Sequence, residues 1–334
     1  MNQDIYVLIE HVRGQVADIS YMLLAQARQI ARTTGGQVVA ILLGHNAASL
    51  AQDLAADHVW YIDHPSLADF NWDAYQQVLA ELIAQHPAVG AQAPRLVLFG
   101  DTTIGADLAG VLSARLNLPL VAYCRQVLVE GSDCLTYVSQ VCGGKLLAEG
   151  ILPQDETTLV MLLPGKFKVE DGKSTVPPAV EHLPAPALEG LRMVLKRYID
   201  PPAGDVDITR QPLLVAVGRG IQRQDNLELA NDLVDALGAT LCGTRPVVDQ
   251  GWLPTTRLVG KSGKAVKPKV YLALGVSGAP EHTEAITGSE MIIAINTDPA
   301  APIFDLARYG ATVALLDLLP VLTEKVRDYH AGKN

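Results

Sequence analysis

A basic loop in the second half of the chain has the residue types best suited to binding chemistry. Residues 258–271 read LVGKSGKAVKPKVY, so that Gly260 and Gly263 bracket Lys261 and Ser262. Glycine allows the backbone to turn its N–H groups toward an anion, and lysines at this spacing supply countercharge. The segment therefore predicts either a phosphate-binding loop or a basic surface hairpin.

This loop differs from the phosphate-binding loop of nucleoside triphosphatases. That motif requires a glycine at a fixed distance before its Gly-Lys-Ser sequence and an apolar strand leading into it. Thr255 stands at the glycine position here, and no apolar run precedes it. The likeness to that motif is superficial, so the loop has to be interpreted together with its neighbours.

Polar, small and basic residues follow the apolar runs in this half of the chain. Four such runs, which predict the strands of a parallel sheet, lie at 213–217, 240–242, 270–274 and 291–295. Ligands of a doubly wound sheet bind beyond the carboxyl ends of its strands. The residues predicted to line that edge, including those of the basic loop, are Arg219, Thr244, Arg245, Val259, Gly260, Lys261, Ser262, Ser277, Gly278, Ala279, Pro280, Glu281, His282 and Asn296. Their number predicts a site for a large phosphorylated ligand.

The first half of the chain alternates apolar runs with segments of helical period, which indicates a parallel sheet covered on both faces. The predicted strands are 4–9, 38–43, 59–62 and 96–99, and the predicted helices are 20–34, 48–55, 72–85 and 106–116. Shorter β-rich pieces at 127–129, 135–141 and 158–163 indicate an antiparallel appendage. A segment at 190–198 fits an edge strand. At the end of the chain, 312–316 predicts the last strand and 320–330 the last helix.

A proline-rich stretch indicates where two α/β domains meet. Residues 164–210 contain seven of the 20 prolines, and the linker is predicted at 200–211. The first domain, 1–200, is predicted to hold the parallel sheet with its β-rich appendage. The second, 205–334, is predicted to be a Rossmann-like doubly wound domain that binds the ligand.

Composition argues against several classes of protein. The net charge is −10 and no long run of lysine or arginine occurs, so we expect no nucleic-acid partner. The longest apolar runs are far shorter than a membrane span. The N-terminus has no signal-peptide pattern, and the four scattered cysteines lack any C-x-x-C spacing. We therefore expect a cytoplasmic protein with reduced thiols and no bound metal.

No set of residues indicates acid–base or nucleophilic catalysis, which favours a cofactor that carries the chemistry itself. Gly218, Arg219 and Gly220 form half of a dinucleotide fingerprint, but Arg223 stands where the third glycine belongs. Two alternatives stay open beside such a cofactor-binding carrier. They are a nicotinamide-dinucleotide-binding oxidoreductase subunit, and a structural or adenine-nucleotide-binding subunit without a redox cofactor.

The order and spacing of several motifs carry a family resemblance over nearly the whole chain. In the second half they are GRG at 218–220, TR at 244–245, GWLP at 251–254, PKVY at 268–271, GVSGA at 275–279, AIN at 294–296 and DPAAPIF at 298–304. The first half adds GADLA at 105–109. The sequence resembles the electron transfer flavoprotein alpha subunit family.

The resemblance implies a heterodimer with a beta subunit and one FAD held mainly by the second domain. It also implies an electron carrier, not an enzyme. Such a carrier would shuttle electrons from flavoprotein dehydrogenases, such as the acyl-CoA dehydrogenases of fatty acid beta-oxidation, to a respiratory or ferredoxin-type acceptor. Whether electrons are simply carried or bifurcated is left open.

The resemblance also implies roles for individual residues. Arg219 and the loop 259–262 would meet the FAD phosphates and nearby atoms, and Asn296 would contact the adenosine half. Three redox-tuning roles are implied around the isoalloxazine: Ser262 near N5, Arg245 beside the ring and His282 near the C2 carbonyl.

The sequence departs from the family pattern within the implied site. Lys261 stands where the family usually has Gln, Pro280 and Glu281 replace an apolar residue and Gln, and Ala314 falls where an Asp often contacts the cofactor. Because Lys261 and Glu281 are opposite in charge, we hypothesise that their side chains form a compensating ion pair.

Overall fold

The structure is a computed structural model that describes residues 3–85, 93–131, 133–142, 146–164, 167–198 and 205–332. The chain divides into two compact units, Met1–Tyr198 and Ile199–Asn334, and each is built on a mostly parallel sheet with helices. This confirms the predicted α/β fold class. The predicted end of the first domain at residue 200 lies outside the described ranges.

The first unit contains a nine-stranded sheet in the order β11-β5-β4-β1-β6-β10-β7-β8-β9. In chain order its elements are β1 (Ile5–Ile9), β2 (His11–Val12), β3 (Gln15–Val16), α1 (Asp18–Thr34), β4 (Val38–Gly44), β5 (His58–Asp63), α2 (Trp72–Gln85), β6 (Leu96–Gly100), α3 (Thr103–Leu116), β7 (Leu120–Glu130), β8 (Cys134–Val141), β9 (Leu146–Ile151), β10 (Thr158–Leu162) and β11 (Ala179–Leu183). Pairing is parallel from β11 to β7, and β8 and β9 then extend the sheet antiparallel. Strands β2 and β3 form a separate small hairpin.

The central strand β1 shows why the sequence reads as a continuous apolar run. Ile5, Val7 and Ile9 face the core on the α1 side, whereas Tyr6 and Leu8 face the core formed with α2 and α3. A strand buried on both faces cannot alternate polar and apolar residues. Helix α1 ends where Gly35 takes a left-handed φ of 74° and donates its N–H to the Ala31 carbonyl.

The predicted antiparallel appendage is right for the pieces at 127–129 and 135–141, which lie in β7 and β8, and wrong for the third piece; β9, its outermost strand, is absent from the prediction. Residues 158–162 of that piece form β10, which lies inside the parallel sheet between β6 and β7. Its five residues, TLVML, are all buried. A short apolar run buried on both faces looks the same in sequence as a strand of an appendage, because only the partner strands distinguish them.

Two further predictions for the first unit are wrong. Residues 190–198 form no strand; Arg192 instead donates to the Asp73 carboxylate at the start of α2 (Nη2–Oδ1 2.8 Å), and the Met193 carbonyl accepts from the Asn71 amide. The edge strand is β11, and the helix predicted at 48–55 is a 3-10 turn over Ala48–Ala51. Tertiary contacts decided each case over local pattern.

The second unit contains a five-stranded parallel sheet in the order β13-β12-β14-β15-β16. Its elements are β12 (Leu213–Val217), α4 (Leu227–Leu237), β13 (Thr240–Gly243), α5 (Arg245–Asp249), β14 (Val270–Leu274), α6 (Pro280–Thr283), β15 (Met291–Ile295), β16 (Tyr309–Ala311) and α7 (Leu315–His330). The predicted last strand at 312–316 is wrong, because β16 ends at Ala311. Helix α7 begins at Leu315 and contains Pro320, since Leu315 and Leu319 pack into the core and their burial offsets the hydrogen bond that Pro320 cannot donate.

Both sheets reverse the direction of strand addition beside their first strand. In the first sheet the chain passes from β1 to β4 and β5, then returns to β6 on the other side of β1. In the second sheet it passes from β12 to β13, then crosses to β14. Loops diverge beyond the carboxyl ends of the strands at such a switch point, which leaves a crevice where ligands bind.

The switch point of the first sheet is occupied by the protein's own carboxyl group. Glu10, which follows β1, is 5% exposed, and its side chain accepts a hydrogen bond from the Thr102 hydroxyl at 2.8 Å. Thr102 also caps α3 by accepting from the Gly105 N–H at 3.0 Å, and the Glu10 N–H donates to Ser20 Oγ at 2.8 Å. Burial raises the pKa of Glu10 to about 7. The crevice between β1 and β6 is thus closed by polar groups that bond to one another.

The raised pKa of Glu10 predicts that the first unit loses stability as the pH rises. Burial favours the protonated acid, so its full contribution is present below the ordinary pKa of 4.5 and is lost as the pH passes through about 7. Glu10→Gln keeps the hydrogen bond without a charge. Across that window we expect the wild type to lose about 2–3 kcal/mol of unfolding free energy relative to the variant.

Urea unfolding measures this difference when it is carried out at one pH below the window and one pH above it. The fluorescence of Trp60 and Trp72 in the first unit reports the unfolding. Glu149→Gln, in the edge strand β9, is the matched control and should show no pH-dependent gain. Parallel pH profiles for wild type and Glu10→Gln would contradict the prediction.

Candidate functional site

Loops from four strands meet at the carboxyl edge of the second sheet. The Gly218 N–H donates to the Leu274 carbonyl at 2.8 Å, which joins the loop after β12 to the end of β14. The Thr244 N–H donates to the Val217 carbonyl at 3.0 Å, and the Asn296 amide donates to the Val276 carbonyl at 2.9 Å. The residues after β12, β13, β14 and β15 therefore form one connected surface at the switch point.

Three glycines allow the backbones of two of these loops to touch. A Cβ added to Gly218 would lie 2.3 Å from the Gly275 carbonyl oxygen, and one added to Gly220 would lie 2.6 Å from the Gly275 Cα. Gly275 itself has a φ of 63°, a left-handed conformation that disfavours side chains. The crevice floor is consequently bare backbone, which suits a ligand that approaches the main chain closely.

The basic loop is held in place by hydrogen bonds to its neighbours. The Val259 N–H donates to the Gly243 carbonyl at 3.0 Å, and the Lys261 N–H donates to the Glu281 carbonyl at 2.6 Å. Gly260 adopts a φ of 149°, and a Cβ there would lie 3.2 Å from the same Glu281 oxygen. Ser262 and Lys261 are exposed, so the loop presents them to solvent beside the start of α5.

The structure brings Arg245 and Ser262 together. Arg245 begins α5, its Nε lies 3.3 Å from Asp249 Oδ2, and its Nη1 lies 3.5 Å from Ser262 Oγ. The Arg245 side chain is 67% exposed, so its guanidinium is available to a ligand. Two residues that are distant in sequence thus share one patch, as the strand-end argument predicts.

His282 lies in the wall of the site and not on its surface. The residue is buried; its Nδ1 lies 3.0 Å from the Val259 carbonyl oxygen and its Nε2 lies 2.9 Å from the Tyr271 hydroxyl. Burial lowers the pKa of His282, so the ring is neutral at physiological pH. Both ring nitrogens are used within the protein, and the implied contact with a flavin carbonyl stays a prediction.

The residues after β14 and β15 mainly hold the loops of the crevice together through hydrogen bonds and a close backbone contact. Asn296 accepts from the Asp298 N–H at 3.0 Å through Oδ1, in addition to its bond to Val276. The Ile303 N–H donates to the Ser277 carbonyl at 3.1 Å. A Cβ on Gly278 would lie 2.2 Å from that Ile303 nitrogen. Thr244 is buried at the start of α5, Ala279 precedes α6, and Pro280 begins it.

Lys261 and Glu281 meet in the structure through their main chains. The hydrogen bond between the Lys261 N–H and the Glu281 carbonyl joins the two residues, whereas the hypothesised ion pair between their side chains stays a prediction. Glu281 is exposed, as is Arg219 in the turn after β12. The side chains around the crevice include three cations, Arg219, Arg245 and Lys261, and their positive charge favours an anionic ligand.

Two residues that shape this site are absent from the site predicted by sequence. Gly275 marks the end of a strand in the sequence pattern, although it forms half of the backbone contact described above. Tyr271 fits the pattern of an apolar strand residue, although its hydroxyl bonds to His282. Tyrosine in an otherwise aliphatic buried strand is the available signal, because a buried hydroxyl needs a partner.

Two negative observations apply to the ranges that the structure covers. No helix within them combines the length and the apolar character that crossing a membrane requires. The same ranges contain no cluster of three or more histidine, cysteine, aspartate or glutamate side chains that could hold a metal ion.

The contact between Gly275 and Gly220 predicts a large cost for any side chain at Gly275. Gly275→Ala combines a left-handed φ with a backbone clash, and we expect it to lower the unfolding free energy of the second unit by roughly 2–5 kcal/mol. Gly251→Ala is the matched control, since Gly251 has a φ of 74° but nothing within 4 Å of an added Cβ. Chemical denaturation of both variants measures the difference, and equal losses would contradict a role for the contact.

Comparison with known proteins agrees with this geometry. Residues 5–188 match the electron transfer flavoprotein domain, and residues 207–287 match the electron transfer flavoprotein FAD-binding domain, which confirms FAD as the cofactor.

The chain is 34% identical to protein FixB of Clostridium saccharobutylicum, over 97% of this chain and 96% of that protein. It is 31% identical to the electron transfer flavoprotein subunit alpha of Thermoanaerobacterium thermosaccharolyticum, over 97% and 98% of the two chains. It is also 32% identical to the acryloyl-CoA reductase electron transfer subunit beta of Anaerotignum propionicum, over 99% and 97%. The chain therefore belongs to the electron transfer flavoprotein alpha subunit family.

Proposed function

We propose that this chain is the FAD-holding subunit of an electron carrier that works as a heterodimer with a beta subunit. One observation carries the proposal: the bare-backbone crevice and its surrounding cations lie in the unit that matches the FAD-binding domain. Bound FAD supplies the chemistry by accepting and releasing electrons. Because the exposed residues described in the crevice include no nucleophile hydrogen-bonded to a base, the chain's own task is to bind and tune the cofactor.

The proposed contacts follow from which groups the crevice exposes. The backbone at Gly218, Gly220 and Gly275 leaves room for close approach, and Arg219 supplies positive charge beside it. Arg245 and Ser262 form the polar patch proposed to lie next to the flavin ring. Asn296 and Ser277 are proposed to serve the adenosine half, with Asn296 fixed by its bond to Val276.

The nicotinamide-dinucleotide alternative is not favoured by the structure. In that class the glycine-rich turn leads directly from the first strand into a helix, whose N-terminus holds the pyrophosphate. Here two 3-10 turns, Arg219–Ile221 and Gln224–Asn226, separate β12 from α4. The N-terminus of α4 is therefore not placed directly after the strand, and Arg223 replaces the third glycine of the motif.

The electron donor is proposed to be a flavoprotein dehydrogenase that acts on a coenzyme A thioester. The support is the name of one relative, which is an electron transfer subunit of an acryloyl-CoA reductase. A respiratory or a ferredoxin-type acceptor both stay open. The cytoplasmic location and the final acceptor stay predictions.

The primary test of this proposal is the absorbance spectrum of the full chain purified with its beta subunit. We expect flavin bands in the blue, and FAD released on denaturation in an amount matching the chain. A preparation that contains both subunits, is folded and takes up no FAD when the cofactor is added would refute the proposal.

Arg245 is expected to raise the midpoint potential of the bound FAD, because a nearby positive charge favours the added negative charge of the reduced form. Removing one charge in a partly exposed site is worth about 1–2 kcal/mol, or about 20–40 mV for a two-electron couple. Arg245→Ala should lower the potential by that amount, and Arg245→Lys should retain most of it.

Spectroelectrochemical titration of the two-subunit complex measures these potentials. Arg308→Ala removes the same charge just before β16, at the opposite edge of the sheet, and should leave the potential unchanged. An unchanged potential in Arg245→Ala with FAD still bound would place Arg245 outside the flavin environment.

A further inference from the structure

A buried line of hydrogen-bonded side chains runs behind the basic loop. It begins at Tyr271 in β14, continues to His282 in α6, and ends at the Val259 carbonyl. Tyr271 is fully buried and His282 is 7% exposed. The line therefore connects the interior of the sheet to the first residue of the loop that presents Lys261 and Ser262.

The chemistry of the end group fixes the direction of these hydrogen bonds. A carbonyl oxygen can only accept, so the hydrogen between His282 and Val259 belongs to Nδ1. A neutral imidazole carries one N–H, which leaves Nε2 as the acceptor for the Tyr271 hydroxyl. Burial raises the pKa of Tyr271 well above its ordinary value, so the phenol keeps the hydrogen that it donates.

Two hydrogen bonds join the basic loop to α6. One of them runs from His282 Nδ1 to the Val259 carbonyl. The other is the Lys261 N–H, which donates to the Glu281 carbonyl at 2.6 Å. Because His282 and Glu281 are adjacent in α6, the two bonds together set the position and the tilt of the loop. A change in either would move the exposed Ser262 hydroxyl relative to Arg245.

We propose that Tyr271 is a positioning residue for the FAD site, which rests on the function proposed above. By donating to Nε2 it holds His282 in the Nδ1–H tautomer, and that tautomer holds the Val259 carbonyl and the loop behind Ser262. Without the phenol hydroxyl, the Nε2–H tautomer becomes accessible. Its Nδ1 lone pair would face the lone pairs of the Val259 oxygen, and the loop would move away.

The first experiment compares the dissociation constant of FAD in the full chain with its beta subunit. Tyr271→Phe should weaken FAD binding about 5- to 10-fold, as expected for one lost buried hydrogen bond. Tyr309→Phe removes a hydroxyl from β16, where the tyrosine is 58% exposed, and should leave the dissociation constant unchanged.

The same substitution made in a His282→Asn variant distinguishes an effect of Tyr271 on the histidine from a general effect on packing. In His282→Asn the new side chain carries an amide N–H near the position of Nδ1, so it donates to Val259 whatever Tyr271 does. Adding Tyr271→Phe to His282→Asn should therefore alter FAD binding by less than about twofold. His282→Gln reaches toward the position of Nε2 instead, loses the bond to Val259 and should bind FAD at least as weakly as Tyr271→Phe.

The outcomes that overturn the proposal are distinct from failure of the proposed function. Wild-type affinity in Tyr271→Phe, or an equal loss from Tyr271→Phe in the wild-type and His282→Asn backgrounds, would show that Tyr271 does not act through the histidine tautomer. If Tyr271→Phe fails to fold, equal FAD affinity of His282→Asn and His282→Gln would overturn the proposal instead. A wild-type complex that binds no FAD would refute the proposed function itself.

Discussion

The close approach of two backbones at the switch point of the second sheet is the constraint on which the site depends. Gly218 and Gly220 after β12 meet Gly275 after β14 at distances that no Cβ can occupy. This contact brings the ends of two adjacent strands together while leaving their main chains uncovered. Every other feature of the crevice, including Arg219 and the loop beside α6, is arranged around that bare surface.

The two units place different residues at the switch points of their sheets. Both sheets reverse strand order beside their first strand, and both therefore have a crevice beyond the carboxyl ends. In the first unit, Glu10 and Thr102 fill that crevice with a buried, mutually bonded pair. In the second unit, glycine occupies the corresponding strand ends. The buried carboxyl group and the bare backbone thus give the two switch points different chemistry.

The second crevice has an exposed layer of polar and charged side chains and a buried layer of neutral, hydrogen-bonded ones. Arg245 and Ser262 are exposed at the crevice and are the groups proposed to contact the cofactor. The buried groups behind them, His282 and Tyr271, are neutral and use their hydrogen bonds on one another and on Val259. Neutral groups in a buried layer avoid the cost of desolvating a charge, and they hold the exposed layer in a fixed geometry.

The sequence by itself determined the α/β class, most of the parallel strands of both halves, the family and the cofactor, and it predicted a site at the strand ends of the second half. The class and the strands follow from local pattern, since a strand buried on both faces must be apolar throughout, whereas the family and the cofactor follow from the resemblance that the ordered motifs carry. Tertiary structure alone decided that residues 158–162 enter the parallel sheet, that α7 runs through Pro320, and that Lys261 and Glu281 meet through backbone atoms. It also decided that His282 is buried against Tyr271. Each of these depends on which neighbour a segment packs against, and neighbours that are distant in the chain leave no mark on local sequence pattern.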